Sequence, residues 1–378
     1  MSRSIFEEVT DRQKPAALPG GVSAGRGRGR RFLRLWLIVL FLLVVAMIAV
    51  GGLTRLTDSG LSITEWAPVT GAIPPLSAED WQAEFEAYRA IPEYQLQNRG
   101  MSLAAFQAIY WWEWGHRQLG RVIGLIWALG FAGLVVARAV PPGWTGRLLL
   151  LGVLGGLQGV IGWWMVSSGL AAGMLDVASY RLAVHLGLAF VILGLIIWYV
   201  LLLGRDEAAL MQARRNGDRR LARLATWVLL LALVQVLFGA LVAGIDAGRN
   251  YIDWPLMAGG VLPPDMWALD PVWRNLFEND GTVQFTHRIA GYLLFLFGLS
   301  VWALARRSAL IRTRRAFGGM ALMLVAQMGL GILTVMQSAP WHLAIAHQLG
   351  AVILMGLVLR ARFLSVYPLP QSVRGANA

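Results

Sequence analysis

EWGHRQLG (113–120) stands at the mouth of a long apolar run that begins at Val122, VIGLIWALGFAGLVV, and QFTHRIAG (284–291) stands at the mouth of another. Each places a His-Arg pair, His116-Arg117 or His287-Arg288, at the start of a segment long enough to cross a bilayer. The chain of 378 residues is 57% hydrophobic and 14% charged, against about 25% charged in soluble domains. Eight such runs are expected to span the membrane, near 33–53, 118–138, 148–166, 182–203, 224–244, 286–305, 318–336 and 344–361. The expected fold is therefore an all-α polytopic membrane protein.

The net charge of +12 could suggest nucleic acid, but its placement argues against that partner. Arg26, Arg28, Arg30 and Arg31 precede the first span, and Arg138 and Arg147 bracket the loop after the second. Arg205, Arg214, Arg215, Arg219, Arg220 and Arg223 follow the fourth, and Arg306, Arg307, Arg312, Arg314 and Arg315 follow the sixth. Arg360 and Arg362 close the eighth. If the spans alternate, all lie on one side, the positive-inside pattern, with both termini cytoplasmic. The first span is too long and too heavily flanked by Arg for a cleaved signal peptide. With no cysteine, this chain can supply neither disulfides nor thiolate ligands.

The sequence repeats itself. GGLTRLTDSG from Gly51 matches GALVAGIDAG from Gly239, and at the same offset Glu65-Trp66 matches Asp253-Trp254. His116 pairs with His287, QGVIG from Gln158 with QMGLG from Gln327, and His185 with His347, in the same order in both halves. Two pseudo-symmetric four-helix bundles are expected: 32–204 and 224–362, joined by a basic cytoplasmic linker, 205–223. Residues 1–31 read as a disordered cytoplasmic tail and 363–378 as a second tail. Long outer loops are expected at about 54–107 and 245–283, the first holding an amphipathic helix in SAEDWQAEFEAYRAIPEY.

Four of the five histidines, His116, His185, His287 and His347, open even-numbered spans and so lie near the outer face. A lone histidine there is usually a hydrogen-bonded packing residue, but two matched pairs suit a flat group held between facing helices. Two ligands per half are few for zinc and sufficient for a bis-histidine haem. Gly120, Gly124, Gly155, Gly156, Gly159, Gly162, Gly291, Gly329 and Gly331 would allow close approach of a porphyrin, or simply of helices. Arg117 and Arg288 would suit haem propionates, or snorkel to the interface. His342 has no repeat partner and reads as a loop or interface residue. The repeat breaks at Glu113/Gln284, Arg121/Tyr292 and Arg55/Ala243. A carboxylate can relay protons where an amide cannot, so the first half is expected to do chemistry and the second to hold a permanent cofactor.

GGLTRLTDSGLSITEWAPVTGAIPP, EWGHRQLGR, FTHR and AHQ together resemble the haem A synthase family, in its cysteine-free proteobacterial and mitochondrial type. The resemblance runs through nearly the whole chain after about residue 32. It implies a haem-dependent membrane oxidoreductase that oxidises the C8 methyl group of haem O to a formyl group, giving haem A for terminal oxidases. It implies His287 and His347 as axial ligands of a resident haem b, His116 and His185 as those of the substrate haem O, and Glu113 as the catalytic acid. Arg117, Arg288, Arg121 and Arg55 become possible propionate contacts. The expected setting is the bacterial inner membrane, with the haem sites near the periplasmic face. Expected partners are lipid, haem O, a haem O synthase, an electron donor and further copies of the chain. Rival readings are a two-haem electron carrier, a haem transporter or oxidase-assembly chaperone, and an inverted-repeat transporter.

Overall fold

The computed structural model describes residues 21–371. Residues 1–20 of the expected first tail and 372–378 of the second lie outside them. Eight helices are long and apolar enough to cross a membrane. They are α1 (Gly21–Leu56), α4 (Leu103–Val136), α5 (Thr145–Gly169), α6 (Ser179–Leu203), α8 (Arg219–Gly244), α10 (Asp280–Ala305), α11 (Ile311–Met336) and α12 (Trp341–Val366). Shorter helices fill the connections: α2 (Ala78–Arg89), α3 (Pro92–Leu96), α7 (Glu207–Arg215) and α9 (Asn275–Glu278). No strand longer than an isolated bridge forms among the described residues.

In the first half, α1 packs on α4, α4 on α5, α5 on α6 and α6 back on α1, a closed ring. In the second, α8, α10, α11 and α12 close in the same cyclic order. α4 and α6 therefore face each other across one ring, and α10 and α12 across the other. The rings join through α6 on α8 and through α12 on α1 and α6. Gln348 of α12 donates to the Ile48 carbonyl of α1 at 2.7 Å across this junction. The basic ends cluster: Arg30 donates to the Leu202 carbonyl at the end of α6, and Arg205 to the Tyr367 carbonyl just past α12.

Two expected boundaries are corrected. α1 starts at Gly21, inside the segment read as a tail. α4 starts at Leu103, not near 118, so the stretch expected to end the first outer loop is helix. The cause is local. Ser102 accepts from the Ala105 amide as N-cap, and no Gly or Pro interrupts the next twelve residues. At 34 residues α4 is roughly 50 Å long, against a hydrocarbon core of about 30 Å, so several turns stand clear of the apolar layer. His116 thus sits nearly four turns inside α4 rather than at its mouth.

The projecting turns carry a cap. Ser77 and Asp80 form a reciprocal capping box that starts α2, and Phe85, Tyr88 and Tyr94 of α2 and α3 pack on Phe106 and Tyr110 of α4. Tyr88 and Phe106 are wholly buried, and each such side chain contributes about 1.5–3 kcal/mol to docking. The amphipathic helix read from the sequence therefore exists, and its apolar face is turned onto α4.

Beneath the cap lies Glu93, 4% exposed, with one carboxylate oxygen, Oε2, unpartnered. Burial, then the nearby charges of Asp176, Asp58 and Glu113, push its pKa up to about 8. Because the folded value lies above that of a free carboxyl, docking is favoured while Glu93 is protonated. That stabilisation is full below about 4.5 and is lost as pH rises through about 8. Proteolysis of the 57–102 loop in the intact protein is expected to accelerate over that window, and Glu93→Gln to flatten the profile. A profile unchanged by the substitution would assign the pH response to other groups.

Candidate functional site

Each of the four paired histidines leans on a glycine of a neighbouring helix. A methyl group at Gly51 of α1 would lie 3.0 Å from His116 Nε2, and one at Gly162 of α5 would lie 3.0 Å from His185 Cε1. At Gly239 of α8 the distance to His287 Cε1 is 3.1 Å, and at Gly331 of α11 the distance to His347 Cε1 is 2.9 Å. The rings occupy space that any larger residue would close. Of the glycines singled out in the sequence, Gly162 and Gly331 carry this contact. Gly51 and Gly239 carry it too, although the sequence marked them only as ends of a repeat. Gly124, Gly155, Gly156, Gly159 and Gly329 have nothing within 4 Å of where a side chain would begin.

A second brace recurs three times. Gln158 Nε2 donates to the His185 carbonyl at 2.9 Å, Gln235 to that of His287 at 3.0 Å, and Gln327 to that of His347 at 2.8 Å. At the fourth position the repeat offset puts Met47 where Gln235 stands. Met47 faces Gly120 much as Gln235 faces the equivalent Gly291. Sequence reasoning missed this break, though the offset of GGLTR on GALVA extends to it directly.

His287 and His347 face each other across the second ring with centroids 6.5 Å apart and planes at 80°. Two bonds of about 2 Å from imidazole nitrogens to one metal would set the ring centres roughly this far apart. The pair lines a largely apolar cavity of ≈ 280 Å³, whose wall includes Leu186 and Phe190 of the first half. Arg249, Arg288 and Asp246 also line it. Arg249 was not anticipated. The buried Oε1 atoms of Gln158, Gln235 and Gln327, and Nδ1 of His347, lack hydrogen-bond partners. Among the described residues no three His, Asp or Glu side chains gather as a metal site. A planar group that takes two nitrogen ligands, as haem does, fits this donor set. Were His347 to ligate a haem iron, Gly331→Ala would shift the ring and weaken haem retention by about 10–100-fold, since it would disturb ligand support rather than a ligand. The α-band of purified protein after gel filtration reads this out, and an unchanged band would mean that the ring does not bear the iron.

Glu113 is 3% exposed, and all its hydrogen bonds run to Arg117 and to the loop after α1. Oε2 accepts from the Ser62 hydroxyl at 2.8 Å and the Ile63 amide at 2.9 Å, and Oε1 from Arg117 Nε at 3.1 Å and Nη2 at 2.7 Å. Arg117 then donates to the carbonyls of Ile63 and Glu65. The second half builds the same clasp. Gln284 Oε1 accepts from Arg288 at 2.8 Å, and Arg288 donates to the carbonyls of Tyr251 and Asp253, the repeat equivalents of Ile63 and Glu65. One term is inverted: Gln284 Nε2 donates at 2.7 Å to the Ala247 and Asn250 carbonyls, where Glu113 accepts. The Glu/Gln difference therefore follows the donor or acceptor character of the loop it holds. The sequence could not show this, because it depends on which backbone groups the loop turns inward.

The remaining arginines have protein partners. Arg121 donates to the carbonyls of Ala67 and Pro68. Its counterpart Tyr292 instead accepts from the Trp254 indole at 2.8 Å, beside the cavity. Arg55 is not free for a propionate as expected: Asp58 at 2.9 Å, Asp246 at 3.1 Å and Asp176 at 3.5 Å surround it. An added carboxylate would compete with three already present. Arg117 and Arg288 are likewise engaged by backbone carbonyls and by Glu113 or Gln284, and Arg288 in addition lines the cavity. His342 is exposed at the start of α12 beside Trp341, as a loop or interface residue would be.

The fold and site thus define a multi-span membrane protein with two rings of four helices, each carrying two histidines on opposite helices, and the second pair faces across a cavity. Residues 34–359 match the family described as cytochrome oxidase assembly protein, COX15-CtaA. Proteins named "Heme A synthase" align over nearly their whole length. That of Jannaschia sp. (strain CCS1) is 71% identical over 99% of both chains, and that of Dinoroseobacter shibae 67% identical over 100% of this chain and 99% of its own. That of Paracoccus denitrificans is 57% identical over 99% of this chain and 98% of its own. The chain belongs to the haem A synthase family.

Proposed function

We propose that this chain converts haem O to haem A by oxidising its C8 methyl group to a formyl group, and that it is a haem-dependent oxidoreductase. The observation that carries this reading is the doubled arrangement of an imidazole pair in each helix ring, every ring resting on a glycine, in a chain alignable end to end with proteins named "Heme A synthase". His287 and His347 would hold haem b, which when bound supplies a one-electron redox centre. Gln235 and Gln327 fix the backbone beneath those ligands, and the apolar cavity excludes water. In the first ring His116 and His185 would orient the substrate haem. The Ser62 hydroxyl and the Ile63 amide hold the Glu113 carboxylate in place, where it would take up or release protons. Arg288 and Arg249 at the cavity wall suit propionates better than Arg55 does. The two rings would be related by pseudo-symmetry, with the basic ends cytoplasmic and the capped ends outside the bacterial inner membrane.

The inverted clasp favours a second reading, since it removes the Glu/Gln difference as an argument for chemistry in the first half. A two-haem electron carrier would need the same four histidines. Haem extraction from protein co-expressed with a haem O synthase, followed by chromatography and mass spectrometry, separates the two. Haem A or its alcohol precursor beside haem b is expected; haem b alone in the presence of haem O would establish the carrier.

A further inference from the structure

At the basic end of the molecule, α1, the start of α5, the end of α6 and α7 enclose a cavity of ≈ 350 Å³. Arg30, Arg147 and Arg214 line it from three different segments, and Glu207 is its one acidic residue. Arg30 is held in place by the carbonyls that end α6: Nη2 donates to Leu202 at 2.7 Å, Nε to Leu203 at 3.3 Å, and Nη2 also to Arg205. Arg147 lies over the Trp144 ring, 4.9 Å from its centroid. Neither Arg147 nor Arg214 is ion-paired with any carboxylate among the described residues. Glu207, two-thirds exposed and 3.9 Å from Arg30, neutralises little. Three guanidinium groups converging on one cavity with a single weak counter-charge are mutually repulsive, and a bound anion removes that repulsion.

The remaining wall is apolar and includes Leu202, Leu210 and Met211. α7 begins four residues after α6 leaves its membrane-spanning segment, buries Leu210 and Ala213, and leaves Met211 67% exposed. That is the build of a helix lying at the bilayer surface. Forked guanidinium donors match phosphate oxygens, and an apolar flank at the membrane edge matches acyl chains.

We propose that this cavity binds the phosphate group of an anionic phospholipid. The site lies at the opposite end of the helices from the cap and stands independently of the catalytic reading above. It predicts that purified full-length protein is stabilised against heating by added phosphatidylglycerol and not by phosphatidylcholine. A guanidinium hydrogen-bonded to a phosphate contributes about tenfold to affinity, so the double substitution Arg147→Gln/Arg214→Gln should weaken the response about 100-fold. Both side chains are exposed, so the fold should survive. The matched control Arg312→Gln/Arg315→Gln removes the same charge from the same end outside the cavity and should keep the response. Equal stabilisation by both lipids would overturn the proposal. Equal loss in both variants would replace the cavity with diffuse surface charge. An equal effect of inorganic phosphate alone would retain the phosphate chemistry and overturn the lipid as its source.

Discussion

Replacing His287 with alanine should strip from the protein the haem b proposed for the second ring while leaving the helices assembled. Disturbing a residue that only supports a metal ligand costs about 10–100-fold in retention, so removing the ligand itself should cost more than about 100-fold. The ring meets Gly239 at its edge and lies 6.5 Å from His347 between centroids, so its loss leaves a ring-sized gap beside a cavity that already exists. That gap supplies a second measurement. Free imidazole added to the His287→Ala protein should enter it and restore part of the low-spin spectrum, which a general unfolding could not do. His347→Ala should behave alike. His116→Ala and His185→Ala should keep the resident spectrum and lose haem A. A His287→Ala protein with an unaltered α-band would show that these two imidazoles do not hold the iron, and the division of the chain into a resident and a substrate half would fall.

The parts of this architecture that depend on periodicity and charge could be read before any coordinates. Eight spans follow from apolar runs of bilayer length, and the clustering of Arg30, Arg205 and Arg362 at one end follows from their alternation. The four histidines emerged because the same residues recur in the same order. What could not be read is what tertiary contact decides. α4 outruns its apolar stretch because Phe106 and Tyr110 find Phe85 and Tyr88 across the loop, a contact no local window contains. Arg55 stands out in the sequence only as a break in the repeat and a possible propionate contact, yet Asp176 and Asp246 reach it from distant segments. Gly51 and Gly239 carry ring contacts only because helix rotation aims the histidines at them. The Met47/Gln235 difference follows from the same offset, but only the contacts with Gly120, Gly291 and the His287 carbonyl give it a meaning. It shows that the two halves differ directly beneath a histidine as well as at Glu113. The repeat singled out the four paired histidines and gave no account of why its two copies diverge.

Glu113→Gln is the substitution that tests that divergence, and it should abolish haem A formation. The clasp around Glu113 is polar in a fixed sense, every partner a donor. With glutamine, either Nε2 faces the Ile63 amide and Ser62, or it faces the Arg117 guanidinium; both orientations set a donor against a donor. Leaving one such buried group unsatisfied costs about 1–3 kcal/mol of loop docking. Loss of product could then reflect a loosened loop over the first ring rather than a missing proton carrier. The second half supplies the control. Gln284→Glu turns an acceptor onto the Ala247 and Asn250 carbonyls, a mismatch of the same kind at the ring proposed for haem b. Both variants should show faster proteolysis of their own outer loop, by about 5–150-fold if cleavage follows local opening. A catalytic Glu113 requires haem A yield to fall at least about 100-fold in Glu113→Gln, the lower end of a general acid–base contribution, while Gln284→Glu keeps most of its yield at similar loop opening. Equal losses in the two variants, scaling with proteolysis, would make Glu113 a structural fastener and move the search for the proton-handling group elsewhere in the first ring.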